Sequence, residues 1–237
     1  MDQRAFDVPR YLSVLPLFNE LSADELERMA RGCRVRRFAR GDEVFRVGEA
    51  CNEFHVTVIG QVKLYAVSPA GQEKVIELVG PGNSFAEALM FTGRPYIINA
   101  QALTDTLLLS VSKQAVVAEI VSDPRFALRM LAGISRRLHG LVHDVESYAL
   151  RSGMQRVIGY LLRDQRFDDG GGPSGAGADV ATVSLPVSKA TVASRLSLTP
   201  EYFSRVLHEL EGAGLIAIDK RDIRILDARR LAAYEVR

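Results

Sequence analysis

The first half of the chain consists of short segments in which apolar and polar residues alternate. Two examples between Val35 and Val111 are Glu53-Phe-His-Val-Thr-Val-Ile and Gln61-Val-Lys-Leu-Tyr-Ala-Val. Glycines separate the segments at turn spacing: Gly41, Gly48, Gly60, Gly71, Gly80, Gly82 and Gly93. Short strands with regular turns are typical of a β-roll or barrel, so the pattern predicts one here.

A helix is predicted before these strands. Ser22-Ala-Asp-Glu25 is a capping box, in which the Ser hydroxyl and the Glu carboxylate satisfy reciprocal backbone donors. We therefore expect a short N-terminal helix that ends near Arg31.

A seven-residue repeat marks the segment from Pro124 to about Leu150. Its apolar residues form two interleaved sets, which are Leu131, Leu138 and Val145, and Ile134, Leu141 and Tyr148. Such a repeat predicts a coiled-coil seam of about three heptads. A second copy of the chain is the simplest partner, so the seam predicts a homodimer. The alternative is a single amphipathic helix that lies on the β-roll.

Another hydrophobic pattern begins after Arg151. A helix from Met154 to about Arg163 leads into Asp168-Asp-Gly-Gly-Gly-Pro-Ser-Gly-Ala-Gly, which we interpret as a surface loop. The chain is therefore predicted to have three parts. These are a sensory β-roll at 1–122, a dimerisation helix at 123–150 and a C-terminal domain at 151–237.

Two capped helices joined by a tight turn lie in this last part. Ser188 can cap a helix from Lys189 to Leu196, and Thr199 can cap a second helix that opens with Pro200. The spacing predicts a packed face and a free face on the second helix. The packed face carries Phe203, Val206, Leu207 and Leu210, and the free face carries Glu201, Ser204, Arg205 and His208.

The free face carries side chains that can read DNA. A carboxylate can accept from cytosine N4, and an Arg guanidinium can donate two hydrogen bonds to guanine O6 and N7. Beyond this helix, Leu215-Ile-Ala-Ile and Ile223-Arg-Ile-Leu are predicted strands of a hairpin, with Lys220 and Arg221 placed to contact phosphate. The pattern predicts a winged helix-turn-helix. The alternative is a small helical domain with an ordinary charged face.

Composition narrows the class of protein. With 237 residues, 47% of them hydrophobic, the chain can bury two cores, and its net charge of +1 means that any DNA affinity must come from a local basic surface. No apolar run approaches the roughly 18 residues of a membrane span, and the N-terminus does not resemble a signal peptide. The two cysteines suit a reducing compartment. We expect a soluble cytoplasmic protein with no membrane partner.

An enzyme and a sensor that binds only proteins are the two alternatives to a DNA-binding protein. The chain has no HxH, HExxH, GxSxG or phosphate-loop motif, which argues against an enzyme. A sensor that binds only protein partners is the other alternative, and the free face of the second helix argues against it.

Four features together resemble the Crp/Fnr family of bacterial regulators over nearly the whole chain. They are the segment Thr199-Pro-Glu-Tyr-Phe-Ser-Arg-Val-Leu, the preceding helix, the heptad helix and the glycine-punctuated strands. The resemblance implies an α+β fold with a cyclic-nucleotide-binding-like β-roll, a long dimerisation helix and a C-terminal winged helix-turn-helix. It also implies that the chain is a homodimer whose partners are double-stranded DNA and RNA polymerase. Glu201, Ser204 and Arg205 match the Glu-x-x-Ser-Arg pattern of the Fnr-like branch, which implies TTGA-type half-sites. The predicted DNA-binding residues are Ser188, Lys189, Thr199, Glu201, Tyr202, Ser204, Arg205, His208, Lys220 and Arg221.

The sensory end departs from the family's cyclic-nucleotide members. Those members carry Gly-Glu for the ribose, followed by Arg-Ser or Arg-Thr for the cyclic phosphate, whereas this chain has Ala86-Glu87 and Arg94-Pro-Tyr96. A phosphate would lack its usual bidentate partner. We predict an effector pocket lined by Phe85, Glu87, Met90, Arg94 and Tyr96, with a cyclic nucleotide or another small ligand as alternatives.

An iron–sulfur cluster, a reactive thiol and haem are three other possible means of sensing a signal. An Fnr-type iron–sulfur cluster needs four cysteines and the chain has two, so no such cluster is expected. Cys33 lies among arginines, which could lower its thiol pKa and make redox sensing an alternative, although a lone Cys beside a strand is more often structural. Gly71-Gln-Glu-Lys-Val-Ile-Glu, Ser84-Phe-Ala-Glu-Ala-Leu-Met-Phe and Arg137-Leu-His resemble the Dnr branch, which implies a response to nitric oxide through haem in nitrogen-oxide or low-oxygen respiration. The candidate haem ligands are His55, His139, His143 and His208. Of these, His139 is the first candidate because the β-roll should pack against its helix.

Overall fold

The computed structural model describes residues 6–164, 181–185, 187–220 and 222–234. Contacts divide the chain into two compact units, residues 1–141 and 142–237. The division falls inside the long helix, ahead of the boundary predicted near Arg151, because Asp144 and Tyr148 contact Arg195 of the second unit. The glycine-rich segment from Asp168 to Gly177 lies outside the described residues.

The first unit is a β-roll with flanking helices. Its helices are α1 (Val8–Ser13), α2 (Ala23–Arg31), α3 (Glu87–Thr92), α4 (Lys113–Ser122) and α5 (Pro124–Leu150), the last of which continues into the second unit. Its strands are β1 (Cys33–Phe38), β2 (Glu43–Phe45), β3 (Glu53–Ile59), β4 (Val62–Val67), β5 (Glu73–Val79), β6 (Ser84–Phe85), β7 (Asn99–Ala102) and β8 (Thr106–Ser112). The strands form two antiparallel sheets, ordered β1-β8-β3-β6 and β2-β7-β4-β5.

Side-chain alternation along β3 separates two packed layers. His55 lies opposite Ser110 of β8, and its ring contacts aromatic rings in the interior of the roll. Phe54, the preceding residue, stacks on Phe18, which in turn stacks on Phe126 of α5, with ring centroids 6.4 and 5.8 Å apart. One face of this sheet therefore fills the roll and the other packs against helices.

Local signals account for the start of α2 and for the tightest turn. Glu25 Oε2 accepts from the backbone N–H of Ser22 at 2.7 Å, and the predicted capping box is confirmed. Gly60 has a φ of +86°, and a Cβ there would lie 2.5 Å from the carbonyl oxygen of Asp105. Only glycine fits this turn between β3 and β4.

The second unit is a winged helix-turn-helix. Its elements are α6 (Gly153–Asp164), β9 (Ala181–Ser184), α7 (Lys189–Arg195), α8 (Pro200–Gly212), β10 (Ile216–Asp219), β11 (Asp222–Ile225) and α9 (Ala228–Ala232). The predicted hairpin is confirmed, and β9 extends it to a three-stranded antiparallel sheet of order β10-β11-β9. The packed face predicted for α8 is also confirmed, because Phe203, Val206, Leu207 and Leu210 are buried.

Candidate DNA-binding, dimer and sensory sites

The second helix of the helix-turn-helix, α8, begins at the predicted residue. Thr199 is its N-cap and accepts a hydrogen bond from the backbone N–H of Tyr202 at 3.2 Å. Pro200 occupies the first turn, where its missing N–H costs nothing. Glu201 follows, and its carboxylate is stabilised by the positive end of the helix dipole.

The free face of α8 presents the predicted reading side chains to solvent. Glu201, Arg205 and His208 are exposed, and Ser204 is half-buried between them. The Arg205 guanidinium lies 4.8 Å from the centroid of the Tyr202 ring, at cation–π distance. His208 Nδ1 lies 3.6 Å from a carboxylate oxygen of Glu211 on the next turn. The arrangement places an acid and a preorganised Arg on one exposed surface of a rigid helix.

Tyr202 has a supporting role that the sequence analysis missed. Its ring packs so closely on the start of α6 that a Cβ at Gly153 would lie 2.5 Å from Tyr202 Cε1 and 3.0 Å from a Leu198 methyl group. Tyr202 is therefore half-buried and fixes the position of Arg205 as well as facing the free surface.

Gly153→Ala should destabilise the second unit by about 1–2 kcal/mol, because the added methyl group overpacks against Tyr202. Urea unfolding checks this value. Tyr202→Ala in the same chain should remove most of the penalty, so strictly additive losses would contradict the contact. Gly159→Ala is the matched control on α6, because its nearest neighbour would be Arg151 Nη1 at 3.7 Å, an ordinary contact.

The first helix of the motif and the turn after it are held by two side chains. Ser188 caps α7 by accepting from the backbone N–H of Thr191 at 3.2 Å, and Lys189 is half-buried on the first turn. Arg156 Nη1 donates to the carbonyl oxygens of Leu196 and Ser197 at 2.7 and 3.3 Å. This second contact, not predicted from the sequence, fixes the turn between α7 and α8.

At the predicted wing, Lys220 follows β10 and is exposed, with a left-handed φ of +56°. Its position at the tip of the hairpin suits a phosphate contact. Arg221, the second residue predicted for this role, lies outside the described residues.

The surface of α5 modifies the predicted dimer seam. Apart from Leu150 at the C-terminal end of the helix, the large apolar residues of α5 that are more than half exposed are Leu128, Leu131, Leu138, Val142 and Val145. We call this set the α5 stripe. Ile134 and Tyr148 are half-buried, and Leu141 is only 38% exposed, so these three lie on the edge of the stripe and not at its centre. The exposed apolar row thus runs through Leu128 and Val142, which the sequence analysis omitted.

Tyr148 is held by its own chain. Its hydroxyl donates to the carbonyl oxygen of Arg195 at 2.6 Å and accepts from the Arg195 guanidinium. That guanidinium also pairs with Asp144, with Nη2 2.5 Å from Oδ2. The contacts connect the last turns of α5 to α7, within the second unit. The part of Tyr148 in a dimer interface stays a prediction.

The five residues predicted to line an effector pocket differ in burial and in their partners. Phe85 and Met90 are fully buried in the hydrophobic core, Tyr96 is 4% exposed, and Arg94 is exposed on the turn after α3. The Glu87 carboxylate is already paired, since Arg137 Nη1 lies 3.4 Å from its Oε2. Phe85 and Tyr96 both contact the Phe45 ring, whereas Glu87 is paired with Arg137 and Arg94 is exposed.

Ala86 immediately precedes Glu87 in a strained conformation. Its φ is +73° and ψ is 7°, in the left-handed region that favours glycine. Ala86→Gly should raise the free energy of unfolding of the first unit by about 1 kcal/mol, as measured by urea unfolding. Ala88→Gly, at an exposed position inside α3, should instead lower it by about 1 kcal/mol. Equal losses in both variants would contradict the strain.

Aromatic rings and a buried histidine fill the interior of the roll. The rings of Phe45 and Tyr96 are parallel within 3° with centroids 3.6 Å apart. His55 Nδ1 lies 2.8 Å from Ser110 Oγ, and its Nε2 lies 3.4 Å from the Tyr96 hydroxyl. Desolvation by burial, followed by the charge of Arg36, lowers the pKa of His55 to about 3, so the imidazole is neutral.

Acidification should weaken the first unit through His55. Its pKa is below that of an unfolded histidine, near 6.5, so the unfolded chain binds the proton first and the stability contribution is lost as the pH falls from about 6.5 towards 3. The slope approaches about 1.4 kcal/mol per pH unit. Urea unfolding between pH 7 and 5 should show a shallower pH dependence for His55→Gln than for the wild type. Parallel pH profiles would contradict this role for His55.

Cys33 does not have the predicted reactive environment. Burial raises the pKa of its thiol to about 12, and Sγ donates to the carbonyl oxygen of Met29 at 3.3 Å. The expectation of a lowered pKa was wrong, because Arg31, Arg34 and Arg37 are exposed while the sulfur is desolvated. A protonated thiol is a poor nucleophile, which disfavours redox sensing through Cys33.

The predicted haem ligand, His139, is exposed on α5. Phe126 and Met130 of α5 are instead buried in the core of the first unit, and Arg137 donates to the Ser84 carbonyl oxygen of the roll. His139 therefore does not face the roll, as the prediction required. Among the described residues there is no group of three or more His, Cys, Asp or Glu side chains that could hold a metal ion.

None of the helices within the described ranges combines the length and the apolar character that a membrane crossing requires.

Each of the two units matches a known protein family. Residues 35–123 match the cyclic nucleotide-binding domain, and residues 155–234 match the Crp-like helix-turn-helix domain. The global nitrogen regulator of Synechococcus elongatus is 29% identical over 217 residues, which cover 91% of this chain and 93% of that protein.

Solved structures agree with this assignment. FixK2 from Bradyrhizobium japonicum superposes with a TM-score of 0.74 at 21% identity, covering 86% of this chain and 98% of that one, and so supports the fold alone. DNR from Pseudomonas aeruginosa is 36% identical, covers 95% of this chain and 96% of its own, and has a TM-score of 0.50. The predicted α+β fold is confirmed, and with it the expectation of a non-enzymatic regulator. The chain belongs to the Crp/Fnr family of DNA-binding transcription regulators.

Proposed function

We propose that the chain acts as a homodimer on a palindrome of two TTGA-type half-sites, with α8 of each copy in the major groove. The observation that carries the proposal is the division of α8 into a fully buried face and an exposed face that bears Glu201 and Arg205 near the helix N-terminus. Recognition helices of this type contact base edges with their N-terminal residues.

Each side chain has a role that its chemistry supports. Arg205 donates two hydrogen bonds to guanine O6 and N7, and Glu201 accepts from cytosine N4. The Tyr202 ring under the Arg205 guanidinium reduces the conformational freedom that Arg205 would lose on binding. Ser204 and His208 extend the contact along the groove. Ser188, Lys189, Thr199, Lys220 and Arg221 are assigned to the phosphates, where they position the protein without reading sequence.

Two copies of α8 reach two half-sites because the α5 stripe pairs the subunits. The stripe is a row of exposed apolar side chains on a 27-residue helix, which is long enough for a coiled coil of several turns. A two-fold dimer then places its recognition helices about 34–36 Å apart, one turn of B-DNA. On the promoter, RNA polymerase is the protein partner that this function requires.

Selection of preferred duplexes from a random pool tests the proposal. The enriched sequences should contain an inverted repeat of TTGA-type half-sites with centres about one helical turn apart. A single unrepeated motif, or no enrichment, would overturn the proposed function.

The signal is the second part of the proposal. The 36% identity with DNR favours the nitric-oxide response that the sequence resemblance implies, for which the same resemblance implies haem. The residues of one chain do not fit haem: His139 is exposed, and the buried His55 faces a space filled by Phe45 and Tyr96. Haem binding would therefore need a contribution from the second copy or a rearrangement of the aromatic rings around His55.

An anaerobic hemin titration of the wild type and of His139→Ala, followed by addition of nitric oxide, tests this signal. A saturable stoichiometric Soret shift, with altered coordination in the variant, would support a haem sensor that uses His139. Weak and nonspecific uptake would exclude it and leave an unidentified small ligand of the roll as the signal.

A further inference from the structure

The Arg137 guanidinium of α5 makes polar contacts with three separate elements of the first unit. Arg137 Nη2 lies 2.5 Å from Glu77 Oε2 on β5, and Nη1 donates to the carbonyl oxygen of Ser84 on β6 at 2.7 Å. The same Nη1 lies 3.4 Å from Glu87 Oε2, at the first residue of α3. The planar guanidinium suits this task, because it presents several donors in a fixed geometry.

The turn that Arg137 contacts, Ser84–Glu87, contains the strained residue Ala86. Ser84 and Glu87 flank Ala86, whose left-handed φ of +73° is unfavourable for a residue with a Cβ. Such a conformation persists only where surrounding contacts enforce it. Arg137 supplies two of those contacts, one on each side of Ala86, and it is only partly exposed, with a side-chain exposure of 26%.

The position of Arg137 on α5 links this turn to the predicted dimer contact. Leu138, the next residue, belongs to the α5 stripe and is more than half exposed. Any rotation of α5 that moves Leu138 also moves the Arg137 side chain. Release of the Ser84–Glu87 turn would in the same way free α5 to rotate.

We propose that Arg137 is the positioning residue that couples the Ser84–Glu87 turn of the roll to the orientation of α5. The inference rests on the proposed function, since α5 is taken to set the distance between two DNA-reading helices. A ligand that reaches Glu87 or the Ser84 carbonyl competes with Arg137 for the same acceptors. Without the Arg137 contacts, the turn then leaves its strained conformation. The Arg137 side chain no longer links α5 to the roll.

Thermodynamic reciprocity makes the coupling measurable without knowledge of the ligand. If the turn biases DNA binding through α5, DNA binding must bias the turn by the same free energy. Backbone hydrogen exchange of residues 84–92, measured with and without a saturating specific duplex, reports that bias.

The wild type should show at least a fivefold change in exchange rate at residues 84–92 on DNA binding. Arg137→Ala, measured at the duplex concentration that saturates it, should show less than a twofold change. Arg136→Ala removes the same charge from the neighbouring exposed position and should respond as the wild type does. Arg137→Lys, which keeps the charge but cannot reach three acceptors in one plane, should lose most of the response and controls for instability of the Ala variant.

A merely structural Arg137 would lower the melting temperature of Arg137→Ala but leave the DNA-induced response intact, and that result would overturn the coupling. Absence of any response in a wild type that binds its palindrome specifically would also overturn it. A wild type that binds no duplex specifically would overturn the proposed function, and the coupling with it.

Discussion

Leu138→Glu should convert the dimer into monomers and lower the affinity for a palindrome by at least about a hundredfold. Leu138 lies at the centre of the α5 stripe and is 57% exposed in the single chain. In a two-fold dimer each stripe residue faces the equivalent region of the other copy, so the substitution introduces two like charges into one apolar contact. Each monomer would then bind one half-site without the gain from simultaneous engagement of the other.

Sedimentation equilibrium gives the oligomeric state, and fluorescence anisotropy with a labelled duplex gives the affinity. Val121→Glu is the matched control, since Val121 is an apolar α4 residue that is 79% exposed and lies off the stripe. It should leave both quantities unchanged. A Leu138→Glu protein that remains dimeric would show that α5 is not the interface.

Arg205→Ala should lower discrimination at one base pair of each half-site by about 1–3 kcal/mol, or about 5- to 150-fold in relative affinity. The reason is the loss of two hydrogen bonds to guanine from a guanidinium that the Tyr202 ring holds in place. Competition among duplexes that differ only at that base pair measures the loss. Glu201→Ala should have an effect of the same kind at a different base pair.

Lys220→Ala provides the contrast. Lys220 is assigned to phosphate, so its loss should weaken all sequences alike and reduce the slope of log affinity against log salt by about one. If Arg205→Ala instead weakened every duplex equally, Arg205 would belong with the phosphate contacts and the assignment of α8 to base reading would be wrong.

The features that the sequence predicted accurately are those set by local chemistry. The N-caps Ser22, Ser188 and Thr199 hold their helices at the expected residues, since a capping hydrogen bond spans only two or three positions. The buried face of α8 follows directly from helical periodicity. The alternating segments likewise gave the β-roll, although α1, α3, α4 and α9 were not anticipated.

The features that the sequence missed depend on contacts between distant positions. Arg137 meets Glu77, and Cys33 is desolvated, through packing that no local pattern encodes. The arginines beside Cys33 suggested a lowered pKa because a sequence does not show that their side chains point to solvent. Strand β9 was missed for a related reason, because its partner among the described strands is β11, far along the chain.

The heptad repeat shows where periodicity reaches its limit. An α-helix has 3.6 residues per turn, which is close to half of seven. Over a short helix, two neighbouring rows of side chains therefore both fit a seven-residue repeat. The predicted seam included the row through Ile134, Leu141 and Tyr148 together with the row through Leu131, Leu138 and Val145. Burial against the chain itself shifts the exposed row towards Leu128 and Val142.

The most direct test of a DNA-reading dimer is the affinity of the wild-type protein for a TTGA-type palindrome and for a scrambled duplex of the same length and composition, both at one fixed salt concentration. Specific binding should exceed nonspecific binding by about a thousandfold or more. Equal affinities for the two duplexes would contradict sequence-specific recognition by α8.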